Sequence, residues 1–210
     1  MARTSKGTAP VPAEPDPDFL AAYYAHVAAE DLHNYSPGTL KDRAAYHLQL
    51  AFRRQPGQTA VGILNELDTS VVAVVADDLP YLVHSVTAEL TRDDSPIHHL
   101  VHPAFLVQRD PVSHELLAWR PGHLREGLEP EPGAAAGATA GATREVWIGM
   151  EVGRLADEAA ANELMERLQA VVSDVRAVAL DEAAIHSRLA DAVADAPSGA
   201  SGPVAAPRTS

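Results

Sequence analysis

Residues 69–103, TSVVAVVADDLPYLVHSVTAELTRDDSPIHHLVHP, carry the clearest change from strand-like to helix-like patterning in the chain, and their reading decides the fold. Val71 to Ala76 is an unbroken apolar run, mostly β-branched, of the kind needed by a strand covered on both faces. The run ends at Asp77 and Asp78, where a helix is expected to begin. An acid at that point accepts hydrogen bonds from first-turn N–H groups and suits the positive end of the helix, while Pro80 sits early enough to lose no needed donor. Leu82, Val86 and Leu90 then recur every fourth residue and make one stripe to face a sheet. Ser95 and Pro96 break that pattern, and Ile97 to Gln108 resumes as one long strand. Strand, helix and strand are half of a ferredoxin-like sandwich.

Working outward, residues 1–15 are Pro- and Ala-rich without periodicity and are expected to be a disordered tail. Phe19, Leu20, Tyr23, Tyr24 and Val27 recur at helical spacing within Asp16 to Val27. A second helix is expected from Ser36, as N-cap with Pro37 behind it, to Arg54, and Gly57 lies just beyond its end. Residues 16–58 thus read as an N-terminal helical extension, because two amphipathic helices alone hardly enclose a core. Val61 to Leu67 is a candidate edge strand. After Gln108, the run Arg109-Asp110-Pro111-Val112-Ser113 has the chemistry of a turn, and Glu115 to Trp119 is expected to return as a hairpin strand.

Residues 121–143, with EPEPGAAAGATAGAT, read as a flexible insertion. Arg144 to Val152 is strand again, with Val146, Ile148, Met150 and Val152 on one face. From Asp157 as cap, Leu164, Leu168, Val171, Val175 and Val178 form a helical stripe at spacings of three and four. A weaker helix over 182–193 and a disordered end complete residues 181–210. The reading is an α+β protein: an ACT-like or ferredoxin-like domain over 59–180, an antiparallel sheet with two helices on one face, preceded by two N-terminal helices.

The chain has 210 residues, a formal charge of −13 and a pI near 5.1, which argues against nucleic-acid binding by phosphate neutralisation. There is no Cys, so disulfides, thiolate metal sites and a Cys nucleophile are ruled out. No apolar run approaches the roughly 20 residues of a membrane span, the first residues lack a signal-peptide core, and a cytoplasmic location is expected. No G-x-G-x-x-G follows a strand, and Gly133, Gly137 and Gly141 lie in low-complexity sequence with the wrong spacing for a dinucleotide.

His98, His99 and His102 invite a metal site. On a strand, however, His98 and His102 stand about 13 Å apart at roughly 3.3 Å per residue and His99 points to the other side, whereas zinc wants its nitrogens at about 2.1 Å. No metal site is expected. His84 and Ser85 are adjacent helical residues that do not face each other, so they read as ordinary helix positions and not as base and nucleophile.

The runs VVAVVADDLPYLVHSVTAELTR (71–92) and IHHLVHPAFLVQRD (97–110) resemble the N-terminal region of the large NAD-specific glutamate dehydrogenases of bacteria, where a strand ends in an acidic helix start and an "IH…HP" strand follows. The resemblance extends more weakly through YYAHVAAEDL, LAFRRQPG and REVWIGMEVGRL. It implies an ACT-like regulatory or assembly module, with NAD and the dehydrogenase chemistry far downstream in a longer chain and no cofactor in this one. Glutamate dehydrogenation in that family needs lysines, and the only two here, Lys6 and Lys41, fall in the tail and the outer helix. His84 stands where the family usually has an acid. The implied partners are the remainder of a dehydrogenase, or a second copy through the sheet.

By the same resemblance, Asp77, Asp78, Leu79 and Pro80 are the candidate effector site, since ACT-like domains commonly bind a small amino acid where the first strand meets the first helix. A carboxylate there meets helix N–H groups and an ammonium meets an acid; the competing reading is simple capping. A free-standing amino-acid sensor is the alternative function, and catalysis by this chain alone is not expected.

Overall fold

The computed structural model describes residues 14–92, 95–122 and 141–195. The expected tail before residue 14, the end after 195 and the core of the insertion, including Gly133 and Gly137, lie outside them.

Helix starts follow the cap residues closely. Asp16 accepts a hydrogen bond from the Phe19 N–H at 2.7 Å and starts α1 (Pro17–Tyr23). Ser36 does the same for Thr39 at 3.0 Å and starts α3 (Pro37–Phe52). Between them lies a short α2 (Ala29–Leu32), which the apolar pattern does not signal. Asp157 accepts from Ala160 N–H at 2.9 Å and starts α5 (Glu158–Asp195), a single helix where a long one and a weaker one were expected.

Six strands form one antiparallel sheet: β1 (Ala60–Asn65), β2 (Thr69–Asp77), β3 (Ile97–Val101), β4 (Ala104–Arg109), β5 (Leu116–Gly122) and β6 (Ala142–Gly153). The order is β1-β2-β6-β4-β5, with β3 also on β6. β2 and β4 flank β6 and are joined through α4 (Leu82–Leu90), which is the split strand–helix–strand unit expected of a ferredoxin-like fold. The long strand expected over 97–108 is instead two. β3 pairs with Gly149 to Val152 and β4 with Ala142 to Val146 of the same strand. The break falls at His102 and Pro103 because Pro103 has no N–H to give the ladder, although its carbonyl still accepts from Trp147 N–H at 3.0 Å.

A second correction concerns the start of α4. Asp77 and Asp78 do not cap it. Asp77 is the last residue of β2, and Asp78 N–H continues the ladder to the Arg144 carbonyl at 3.1 Å. The chain then turns through Leu79 and Pro80, and α4 begins after Tyr81, a left-handed residue (φ 64°) that provides no side-chain cap. Both acids point instead at arginines, which explains their failure to cap.

The sheet is covered on both faces, as the Val71–Ala76 run required. Val72, Val74, Ala76, Val146, Ile148 and Met150 pack against Leu82 and Val86 of α4 and Leu164 and Leu168 of α5. On the other face Val75, Phe105 and Trp147 pack against Phe19 and Tyr23 of α1 and Ala44 and Leu48 of α3. The two N-terminal helices therefore close the second face of the sheet, where the rings of Phe19, Phe105 and Trp147 pack with centroids 5.0–5.8 Å apart.

Candidate functional site

The turn after β2 meets the end of α3, the end of β4, the start of β6 and the middle of α5, and charged side chains from all five converge there. Glu145, on β6, is fully buried. One of its oxygens accepts from Arg54 Nη2 and from Arg109 Nε, both at 2.7 Å, and the other accepts from Arg109 Nη2 at 2.9 Å and Trp147 Nε1 at 3.2 Å. Arg54 continues to Asp77 Oδ1 at 2.7 Å, and Asp77 Oδ2 accepts from Arg176 of α5, also at 2.7 Å. Arg109 also donates to the Ala51 and Phe52 carbonyls, which satisfies the C-terminal end of α3, and to the His114 carbonyl. Burial pushes the Asp77 carboxyl up, but its bonds to Arg176 and Arg54 outweigh that and hold it below the usual carboxylate range.

This is where the four expected site residues lie. Both oxygens of Asp77 are engaged by guanidinium groups, and the Asp78 carboxylate lies 3.8 Å from Arg144. Leu79 packs on the core beneath α4 and α5, and Pro80 is half-buried in the turn. The structure adds Arg54, Arg109, Glu145 and Arg176 to them, residues the sequence reading did not single out.

A second network spans the same face further along β6. Arg43 of α3 forks onto Glu66 at 2.8 and 2.6 Å and reaches Glu151 at 2.9 Å, beneath the ring of Tyr35, whose hydroxyl also donates to Glu151. Burial raises the Glu151 carboxyl, and the Arg43 and Tyr35 hydrogen bonds more than offset it, so the net shift is downward.

Beside it, His26, Asp31, Tyr35, His98, His99 and His102 line a polar cavity of about 430 Å³. His26 Nε2 accepts from the His102 backbone N–H at 2.7 Å, and partial burial with His102 and His99 close by lowers its pKa to about 4. Thus His99 and His102 do share a cavity, joined there by His26 and not by a common ligand point. Among the described residues no three of His, Asp and Glu converge as a metal ion would require. His84 lies on the exposed face of α4, and the neighbouring Ser85 spends its N–H on the Tyr81 carbonyl.

None of these groups forms a nucleophile and base pair. The two networks are cross-braces that fix helices on a sheet. The fold and these anchors agree with a sequence comparison: residues 19–168 match the family described as Glutamate dehydrogenase, ACT1 domain. The chain belongs to that family. The ACT1 match begins at Phe19 of α1 and ends at Leu168 of α5, so it includes the helices on both faces and all of the Glu145 network except Arg176. No helix among the described residues of this ACT1 chain is long and apolar enough to cross a membrane.

Proposed function

We propose that this ACT1 chain is a non-catalytic regulatory or assembly module of a cytoplasmic NAD-dependent glutamate dehydrogenase, an enzyme that oxidatively deaminates L-glutamate to 2-oxoglutarate. The family match over residues 19–168 carries the reading. It is supported by the site, where the buried charges hold elements together. An antibody to this chain, used on a native extract, is expected to reveal a band several times larger than 22.2 kDa that coincides with NAD-dependent glutamate oxidation. A band at 22.2 kDa without that activity would overturn the reading. The purified chain, given glutamate and NAD, is expected to produce no NADH.

One observation favours a second reading, in which the turn binds a small amino acid: α4 starts at left-handed Tyr81 without a side-chain cap, beside Asp77 and Asp78. A ligand carboxylate would then meet the first turn of α4, and its ammonium would compete with Arg176 for Asp77. Calorimetric titration with the common amino acids is the test. Heat that is lost in Asp77→Asn supports this effector site, whereas no heat from any amino acid removes it.

A further inference from the structure

The stripe of α5 does not stop where the sheet does. Leu164, Leu168, Val171, Val175, Val178, Glu182, Ile185 and Leu189 follow one another at alternating steps of four and three, the spacing of a coiled-coil seam. The first part of the seam is spent on the protein's own core, with Leu164 and Leu168 buried and Val175 packed at its margin. Arg176 still grips Asp77. Beyond it the seam continues into solvent, with Val178, Ile185 and Leu189 exposed by 57, 55 and 57 %. A helix standing alone in water does not maintain such a repeat for its own stability, since exposed apolar residues gain nothing there.

We infer that the C-terminal half of α5 pairs antiparallel with α5 of a second copy of this chain. The other stretches of the sequence, 1–13, 123–140 and 196–210, are rich in Pro, Gly and Ala and hold no second run of apolar residues at this spacing, so none of them matches the seam. Another α5 does. An antiparallel arrangement about a twofold axis near residues 183–184 sets Val178 against Leu189 of the second copy. It also brings Asp181 beside Arg188 of the second copy, a pair that the twofold axis repeats. Glu182 then meets Ile185 across the seam; one polar residue there weakens the pair and fixes its register and direction. A parallel, in-register pair would place the two Glu182 carboxylates opposite each other. This contact is independent of the function proposed above and uses neither sheet edge.

The mass of the full chain, measured by sedimentation at micromolar to tens of micromolar concentration, is expected to be about twice 22.2 kDa and to fall to 22.2 kDa in Ile185→Asp. Because Ile185 is exposed in the single chain, that variant should keep the near-UV circular dichroism of the parent, and its thermal midpoint should lose the concentration dependence that a dimer gives the parent. Glu182→Leu should tighten the dimer. The chain has no Cys, so introduced cysteines report direction: Val178→Cys mixed with Leu189→Cys should cross-link, and either alone should not. A monomer throughout the concentration range, a dimer indifferent to Ile185→Asp, or cross-linking of Val178→Cys with itself would overturn the inference.

Discussion

Glu145→Ala is expected to lower the unfolding free energy by about 3–5 kcal/mol, because it removes the acid that bridges two buried guanidinium groups. The side chains of Glu145, Arg54 and Arg109 are 0, 1 and 6 % exposed, so water cannot replace the lost charge. Arg54 would keep Asp77, and Arg109 would keep its backbone carbonyls, but each loses a charged contact at 2.7 Å and Trp147 Nε1 loses its acceptor. Glu145→Gln, which keeps the shape, should cost less. Arg53→Ala supplies the control. Arg53 reaches Glu115 with its own side chain 65 % exposed and that of Glu115 13 % exposed, and a pair with its cation in solvent contributes about 1 kcal/mol or less. Urea unfolding followed by tryptophan fluorescence and by circular dichroism measures all three. A loss below about 1 kcal/mol for Glu145→Ala would mean that the cluster is not the clamp described here.

The reach of the sequence follows from which interactions are local. Asp16, Ser36 and Asp157 cap their helices within three residues of themselves, so the starts of α1, α3 and α5 are legible as they stand. The Val71–Ala76 run likewise announced a strand buried on both faces. That clue also bears on the N-terminal helices, since something had to cover the side away from α4 and α5. The alternation in β6 was legible on the Val146, Ile148 and Met150 side. Its other side, Glu145, Trp147, Gly149 and Glu151, mixes two acids with apolar residues, and nothing local shows that the acids are buried until arginines from elsewhere are brought to them. Those partners are remote: Arg54 lies 91 residues from Glu145, and Arg43 lies 108 from Glu151. No periodicity encodes such pairs. Asp77 and Asp78 were misread for the same reason, because the capping rule sees only neighbours and the competing ligands, Arg54, Arg144 and Arg176, are distant in sequence. The start of α4 was thereby placed three or four residues too early.

Acidification from about pH 7 to about pH 5 is expected to cost roughly 2 kcal/mol of stability through His47, and His26 and His99, whose pKa values are also lowered, add to the loss. Its ring is buried between α3 and β2, with Nε2 3.2 Å from the Val74 carbonyl and Nδ1 2.7 Å from the Tyr23 hydroxyl. A carbonyl can only accept, so Nε2 carries the hydrogen and Nδ1 accepts from Tyr23; the imidazole is satisfied while neutral. Gly149 allows this arrangement, since a Cβ there would lie 3.1 Å from the Tyr23 oxygen. Burial lowers the His47 pKa to about 4, against the smaller opposing effect of the Val74 bond. The unfolded chain, with a histidine near its ordinary value of about 6.5, binds the proton first. Stability is therefore complete above about pH 6.5 and is lost as the pH falls toward 4, about 3 kcal/mol in all. The carboxyls of Asp77 and Glu151 are also shifted downward, but from starting values of 3.8 and 4.5, so their contributions fade only at lower pH. The interval from about pH 7 to about pH 5 thus isolates histidine. Urea midpoints across it should fall more steeply for the parent chain than for His47→Gln, in which His26 and His99 still take up protons. That variant is less stable at neutral pH but has no proton to take up at position 47. Parallel slopes for the two proteins would show that His47 is not the group being titrated.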